Sequence, residues 1–450
     1  MVTGSRLAEL MLRGPTTNHV VCFGRDGAER RCGELIVAAA GVEARLREQD
    51  GERWALNLGD GFELTAALLG CWAARRTPVL VPPTLLATLD RATLDGVIEH
   101  SADATAAARR IVWQTVEASA RPLGELAPNA SLELYTSGST GVPKKAGRRL
   151  ANIENELAAL ESVWGARLGT ARVLSTVSHR HVYGFLFRIL WPLLERRPFA
   201  IFDYEYPEQL LGSGGRGNVL VSSPAMLKRV GHLPPGSGQW SAVFSSGGFL
   251  PADAAADVSR VLGVAATEIL GSTETSGVAW RTAGSPSFEL LPSVEVRVSS
   301  DELLEVRSPF AGVDGWQAMG DRVHFRADGT FELSGRADRI AKIEDKRVSL
   351  SEIERRLVEH HYVKDAAAVA LEASARQYVG AVVELTQAGR AALEQRGRAA
   401  MNSALRSALR GRIEAVALPR AFRYTHAMPV DAQGKRQVAV LAALFDSGSV

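Results

Sequence analysis

A chain of 450 residues exceeds what one hydrophobic core supports, so a large domain with a smaller one is the expectation. Its 52 basic and 50 acidic residues leave a net charge of +2, which excludes the bias of a nucleic-acid or membrane-surface binder. Three cysteines, Cys22, Cys32 and Cys71, show neither paired nor metal-site spacing, and the most apolar run, 183–194, is too short for a membrane span and is broken by Arg188 and Pro192. With no apolar leader and cleavage site at the start, a cytoplasmic location is expected.

Short apolar runs then alternate with helical patterns. A strand is expected at 54–58, a helix at 62–74 and a strand at 78–81, followed by strands at 132–135, 173–177, 199–202, 219–222, 242–244 and 267–270. That alternation is the pattern of parallel α/β units, whose ligands gather beyond the carboxyl ends of the strands. The alanine-rich 104–108 reads as a helix, and 212–217 and 234–238 read as surface loops. From 294 to 333, short alternating strands with Gly and Asp turns suggest a small β-subdomain. Past Gly335 come a helix near 351–360, strands at 366–371 and 378–385, and a long helix before 412, the makings of a small α+β domain. The expected boundary divides 1–337 from 338–450.

One stretch is built to hold phosphate. Residues 135–144 read Tyr-Thr-Ser-Gly-Ser-Thr-Gly-Val-Pro-Lys, with Lys145 next. Gly138 and Gly141 let the backbone turn its N–H groups toward an anion, Thr136, Ser137, Ser139 and Thr140 add hydroxyl donors, and Lys144 adds charge. A Walker loop places Lys-Ser/Thr directly after its last glycine, so this is a different cradle. Five or six such residues by themselves read as a flexible loop. Ten ordered positions resemble the phosphate loop of the adenylate-forming superfamily: acyl-CoA synthetases, aryl-acid ligases, peptide-synthetase adenylation domains and luciferases. Further segments match that family in order.

The resemblance implies a large α/β AMP-binding domain with mixed and parallel sheets, a mobile C-terminal α+β domain, and ATP and Mg²⁺ as cofactors. Leu270, Gly271 and Ser272 would line the nucleotide site, Thr273 would contact phosphate, and Glu274 would bind Mg²⁺, which favours oxygen ligands. Alone, these residues read as a helix cap. Leu270 stands where relatives commonly carry an aromatic that stacks on adenine. Gly247 and Gly248, after Ser246, would line the adenine and acyl pockets. Asp321, after Gly320, would hold both ribose hydroxyls with its two acceptor oxygens, and Arg336 would reach ribose or phosphate. Without the other motifs, these are a Gly-Asp turn and a charged surface loop. Asp338 would be the hinge, and Asp345 replaces a glycine that lies beside the thiol tunnel in acyl-CoA synthetases. Near the end, in 429–435, Lys435 would bridge the attacking carboxylate and the α-phosphate as a point charge; alone, Gly-Lys is a solvated turn.

Ser178-His-Arg-His-Val-Tyr-Gly184 resembles the acyl-site segment, placing His181 near the acyl group and Gly184 where a chain passes. The aspartate by which peptide-synthetase domains hold an amino group is missing, which disfavours an α-amino acid. His179 with His181, and His360 with His361, lack a third ligand at metal spacing. The late helix carries Arg390, Arg396, Arg398, Arg406 and Arg410, while Met401, Leu405 and Leu409 recur every fourth residue. Its arginines are either a solvated face or a landing site for an acidic acyl carrier protein or the phosphates of CoA.

The implied activity is a ligation in two steps. A carboxylic acid and MgATP give acyl-AMP and pyrophosphate, and the small domain then turns about Asp338 to admit a thiol. An aromatic acid and an acyl carrier protein are the expected partners. The alternatives are a CoA-dependent synthetase acting on a medium-chain fatty acid and a catalytically silent nucleotide- or acyl-adenylate-binding protein. An unrelated kinase would need motifs the chain lacks.

Overall fold

A computed structural model describes residues 5–12, 19–81, 86, 94–100, 109–119, 121–127, 129–137, 143–211, 217–236, 240–336, 339–343, 346–373, 376–430 and 436–446, with main chain alone at 136, 137, 143, 144, 340, 342, 346, 347, 373 and 376. The expected helix at 104–108 and parts of both expected loops, 212–216 and 237–238, lie outside the described residues. Two compact units form, Met1–Val296 with Val306–Gln317, and Arg297–Glu305 with Ala318–Val450. Contact thus groups the strands between 318 and 336 with the second unit.

The first unit is α/β. One sheet orders Arg110–Val112, Gly96–Glu99, Arg53–Asn57, Thr77–Leu80 and Ser131–Ser137 in parallel, with Pro143–Arg149 returning antiparallel at its edge. Parallel neighbours need a crossover, and helix Gly61–Ala73 supplies it between Arg53–Asn57 and Thr77–Leu80. Asp60 starts that helix by accepting from the Phe62 and Glu63 amides at 2.7 and 3.1 Å. The helix is buried almost all round, and Gly70 lets it close on helix Cys32–Arg47: a Cβ there would lie 2.8 Å from the Ala39 carbonyl.

The second sheet of this unit runs Val20–Phe23, Phe199–Ala200, Val173–Ser175, Asn218–Ser222, Trp240–Ser246 and Ala266–Ser272, all parallel, with Ser276–Thr282 antiparallel beyond the last. Alternation along Trp240–Ser246 sends Val243 into the core shared with Val258 and Leu262 of helix Ala252–Leu262. Phe244 points the other way, where Trp164 meets it edge-on at 5.1 Å and Phe187 and Trp191 close around it at 5.3 and 5.8 Å.

After Arg297–Glu305, the second unit takes up the chain again within the antiparallel pair Gln317–Phe325 and Phe331–Arg336. A hairpin, Ile340–Ile343 with Lys346–Ser349, leads into helix Leu350–Val358, capped by Ser349 accepting from the Glu352 amide at 3.2 Å. Next comes a sheet of Val363–Ala373, Arg376–Leu385 and Ala421–Thr425. Ile353, Leu357, Val379, Val383, Leu405 and Leu409 form the core on one face, and Val369, Val382, Met428 and Leu441 pack on the other.

The long helix Gln387–Leu409 buries Met401, Leu405 and Leu409, as their spacing predicts. It is broken at Gly397, whose φ of +75° is non-helical, so one continuous amphipathic face does not form. Nor is every arginine solvated: Arg406 donates to the carbonyls of Pro419 and Arg420 at 2.8 and 2.6 Å, and Arg390 to that of Leu385 at 2.9 Å. Among the described residues no helix is long and apolar enough to cross a membrane.

Candidate active site

The phosphate loop springs from an antiparallel pair. Thr136 stands opposite Lys144 and Ser137 opposite Pro143, while Gly138, Ser139, Thr140 and Gly141 lie outside the described residues. Behind the loop the strands are cross-tied: Arg53 pairs with Glu133 at 2.6 Å and donates to the Tyr135 hydroxyl at 2.7 Å, and Lys145 reaches Glu133 at 3.2 Å. Lys145 is therefore engaged by the sheet, and the expected phosphate cation remains Lys144.

Two neighbouring strand ends carry the next residues. Ser246 lies in register with Ile269 and donates to its carbonyl at 2.9 Å, which sets Gly247 and Gly248 beside Leu270. Gly247 has φ of +87°, a conformation that favours glycine, and both glycines are exposed. Between Leu270 and Gly271 the pairing with Ser276–Thr282 slips, a β-bulge that re-aims the chain from Gly271 onward. A Cβ on Gly271 would collide with the Ser276 carbonyl.

Thr273 and Glu274 then sit in a hairpin turn rather than at a helix cap. Ser272 Oγ accepts from the amides of Glu274 and Thr275 at 3.2 and 3.0 Å. The Glu274 side chain is exposed, with no ion-pair partner among the described residues. An exposed carboxylate at a strand end, beside a hydroxyl, fits a hard cation and the phosphate it accompanies.

Sequence reasoning missed what holds this turn. Arg148, 4% exposed, donates to the main-chain oxygens of both Thr273 and Glu274. No signal in the sequence marked it, since Lys-Lys-Ala-Gly-Arg-Arg over 144–149 shows no apolar alternation; only in the fold does exposure alternate along 145–149, with Ala146 and Arg148 on the buried face. An arginine at an inward position of a strand needs a partner inside.

The acyl-site segment begins where Val173–Ser175 ends. His181 is half-buried, and its carbonyl accepts from the Phe185 amide at 2.7 Å, opening the helical run 182–194. At Gly184 a Cβ would collide with the Ser178 carbonyl, so the backbone packs closely there. His179 is buried, with Nε2 donating to the Leu58 carbonyl at 3.0 Å and Nδ1 unpartnered. Burial, and then the Arg188 charge, hold its pKa well below the usual histidine value. Arg188 is itself buried, paired with Asp203 and donating to the Val177 carbonyl at 3.1 Å.

In the second unit Asp321 and Arg336 face each other on paired strands, with Nη1 3.4 Å from the carboxylate. The strand order brings Asp321, expected at the ribose hydroxyls, beside Arg336, expected at ribose or phosphate. Asp338, Asp345 and Lys435 lie outside the described residues. Among the described residues no group of three side chains gathers to hold a metal ion.

Comparison with known proteins adds the family. A sequence profile described as "AMP-binding enzyme" matches residues 34–311, and one described as "AMP-binding enzyme C-terminal domain" matches 352–435. The 4-coumarate–CoA ligase of Cereibacter sphaeroides is 28% identical over 251 residues, 54% of this chain and 57% of that protein. That of Rhodobacter capsulatus is 27% identical over 315 residues, 67% of this chain and 73% of that protein. The alignment thus spans a little over half the length of the first relative. Among solved structures, an ATP-bound RpMatB-BxBclM chimera superposes with a TM-score of 0.85 at 19% identity, over 99% of each chain. A benzoate CoA ligase from Burkholderia xenovorans LB400 superposes with a TM-score of 0.79 at 20% identity, over 98% of this chain and 100% of that one. At such identities the superpositions speak to the fold alone.

Proposed function

The chain belongs to the AMP-binding enzyme family, within the adenylate-forming superfamily, and from that membership we propose that it activates a carboxylic acid with ATP and passes the acyl group to a thiol. The observation that carries this reading is the convergence of Gly247, Gly248 and the 270–274 turn at adjoining strand ends, with the turn tied to the strand that leaves the phosphate loop. Thr136, Ser137, Ser139, Thr140, Lys144 and Thr273 bind the phosphates, Asp321 holds the ribose, and Arg336 reaches ribose or phosphate. Glu274 would hold Mg²⁺, which would supply charge neutralisation at the phosphates. Lys435 draws the attacking carboxylate to the α-phosphate, two anions that otherwise repel. His181 lines the acyl side. The break between mobile and fixed parts falls at 337/338, with Asp338 the hinge that later clears Lys435 from the thiol's path.

An aromatic acid is the proposed substrate. Relatives named for 4-coumarate, and a fold neighbour named for benzoate, support that class. We propose an acyl carrier protein as the thiol acceptor; the names of the two relatives, both CoA ligases, favour CoA as the second reading. The deciding experiment is acid-dependent exchange of pyrophosphate into ATP over aryl and alkyl acids, followed by AMP release with CoA or a phosphopantetheinylated carrier. Exchange with aryl acids supports the reading. Exchange confined to alkyl acids refutes the substrate class, and no exchange with any acid, or ADP as product, refutes the activity.

A further inference from the structure

The turn carrying Thr273 and Glu274 is gripped from both sides by buried charges that belong to none of the recognised motifs. We infer that Arg148 is a positioning residue for nucleotide binding: its guanidinium locks that turn to the strand leaving the phosphate loop. Nη2 serves the carbonyls of Thr273 and Glu274, the latter at 2.8 Å, while Nη1 donates to the Gly147 carbonyl at 2.9 Å. Two consecutive carbonyls drawn to one planar group fix the peptide between them, and so the directions of the side chains on either side. The partners are 125 residues apart in the chain.

Glu156, on helix Leu150–Leu168 and 2% exposed, holds the far end of the turn. Its carboxylate accepts from the Ser276 hydroxyl and, at 2.9 Å, from the Gly277 amide. Ser276 has φ of +62°, a left-handed conformation that non-glycine residues hold only where their surroundings impose it. Gly277 leaves room for the carboxylate, since a Cβ there would lie 2.8 Å from Glu156 Oε1. Over the clamp, Gly312 packs so closely that a Cβ would collide with the Gly147 carbonyl.

Burial lowers the Arg148 pKa and raises that of Glu156, and each charge opposes the shift of the other. What the two charges supply is direction: Arg148 holds the carbonyls at the tip of the turn, and Glu156 holds its far end.

The inference rests on the reading that this turn meets phosphate and Mg²⁺, so its test separates binding from turnover. In the full-length protein, Arg148→Met and Arg148→Lys are titrated with a fluorescent ATP analogue over a range of Mg²⁺ concentrations. KM for ATP and for the acid then come from pyrophosphate exchange. A turn displaced by about an ångström predicts a rise of about tenfold or more in the nucleotide Kd and in half-saturating Mg²⁺ for Arg148→Met. Arg148→Lys, which retains one point donor, shows a smaller rise, and KM for the acid stays within about twofold in both. A purely structural residue would lower the melting temperature yet leave the constants of the folded enzyme unchanged, and that outcome overturns the inference. If Arg148→Met does not fold, Arg148→Lys decides, since wild-type nucleotide affinity in it is equally fatal. Nucleotide binding without exchange on any acid sinks the proposed activity while the binding arm still judges Arg148.

Discussion

Replacing His179 with glutamine tests the electrostatics beneath the acyl-site segment. The imidazole is 1% exposed, its Nε2 proton is committed to the Leu58 carbonyl, and Arg188, Arg180 and His181 all oppose a further positive charge. Its folded pKa is therefore depressed, so below the unfolded value of 6.5 the unfolded chain binds a proton the folded one refuses. The stabilising contribution is complete above that pH and is lost as pH falls toward the folded pKa. For one proton the loss approaches about 1.4 kcal/mol per pH unit, and so at most about 2 kcal/mol between pH 7.5 and 5.0. Glutamine can still donate to Leu58 but does not titrate. Urea unfolding followed by tryptophan fluorescence should show the variant gaining on the wild type over that range, by up to about 2 kcal/mol. Glu156, whose raised pKa makes stability fall as pH rises above 4.5, acts alike in both proteins and cancels in the difference. A difference that stays flat with pH would refute the argument, because His179 would then titrate as it does in the unfolded chain.

Trp164→Ala should cost about 3–5 kcal/mol, since the ring touches Phe244, Trp191 and Trp280 in the first unit's core; thermal melts check this, with KM for ATP unchanged at a permissive temperature. Asp321→Ala should raise KM for ATP by about 10- to 100-fold, the loss of charge-assisted bonds to two hydroxyls, and an unaltered KM counts against ribose binding. Lys435→Ala should nearly abolish acyl-adenylate formation but spare thiol transfer from supplied acyl-adenylate; equal loss of both half-reactions contradicts its role. Arg398→Glu, at an exposed position, should slow carrier loading most at low salt, and loading with unchanged rate and salt dependence removes the landing-site reading.

The residues legible in the sequence share one property: their chemistry is local. A phosphate cradle is made of consecutive amides and hydroxyls, so the stretch from Tyr135 to Lys144 carries its own description, as do the glycines of 246–248 and the 270–274 turn. Strand and helix positions were legible too, because apolar spacing matches the period of the element that buries it. The buried Met401, Leu405 and Leu409 show this, while Gly397 shows its limit, since one left-handed glycine breaks a pattern that spacing leaves continuous. Arg148 belongs to the other class. Nothing in Lys-Lys-Ala-Gly-Arg-Arg marks it as inward-facing, and only the folding of two sheets in one unit decides that it meets Thr273 and Glu274, 125 and 126 residues away. The same holds for His179, neutral because a strand end remote in sequence offers it a carbonyl and a buried arginine lies close by. Long-range partnership depends on which strands become neighbours, and that is set by the sum of packing over the whole sheet, a quantity no short segment contains.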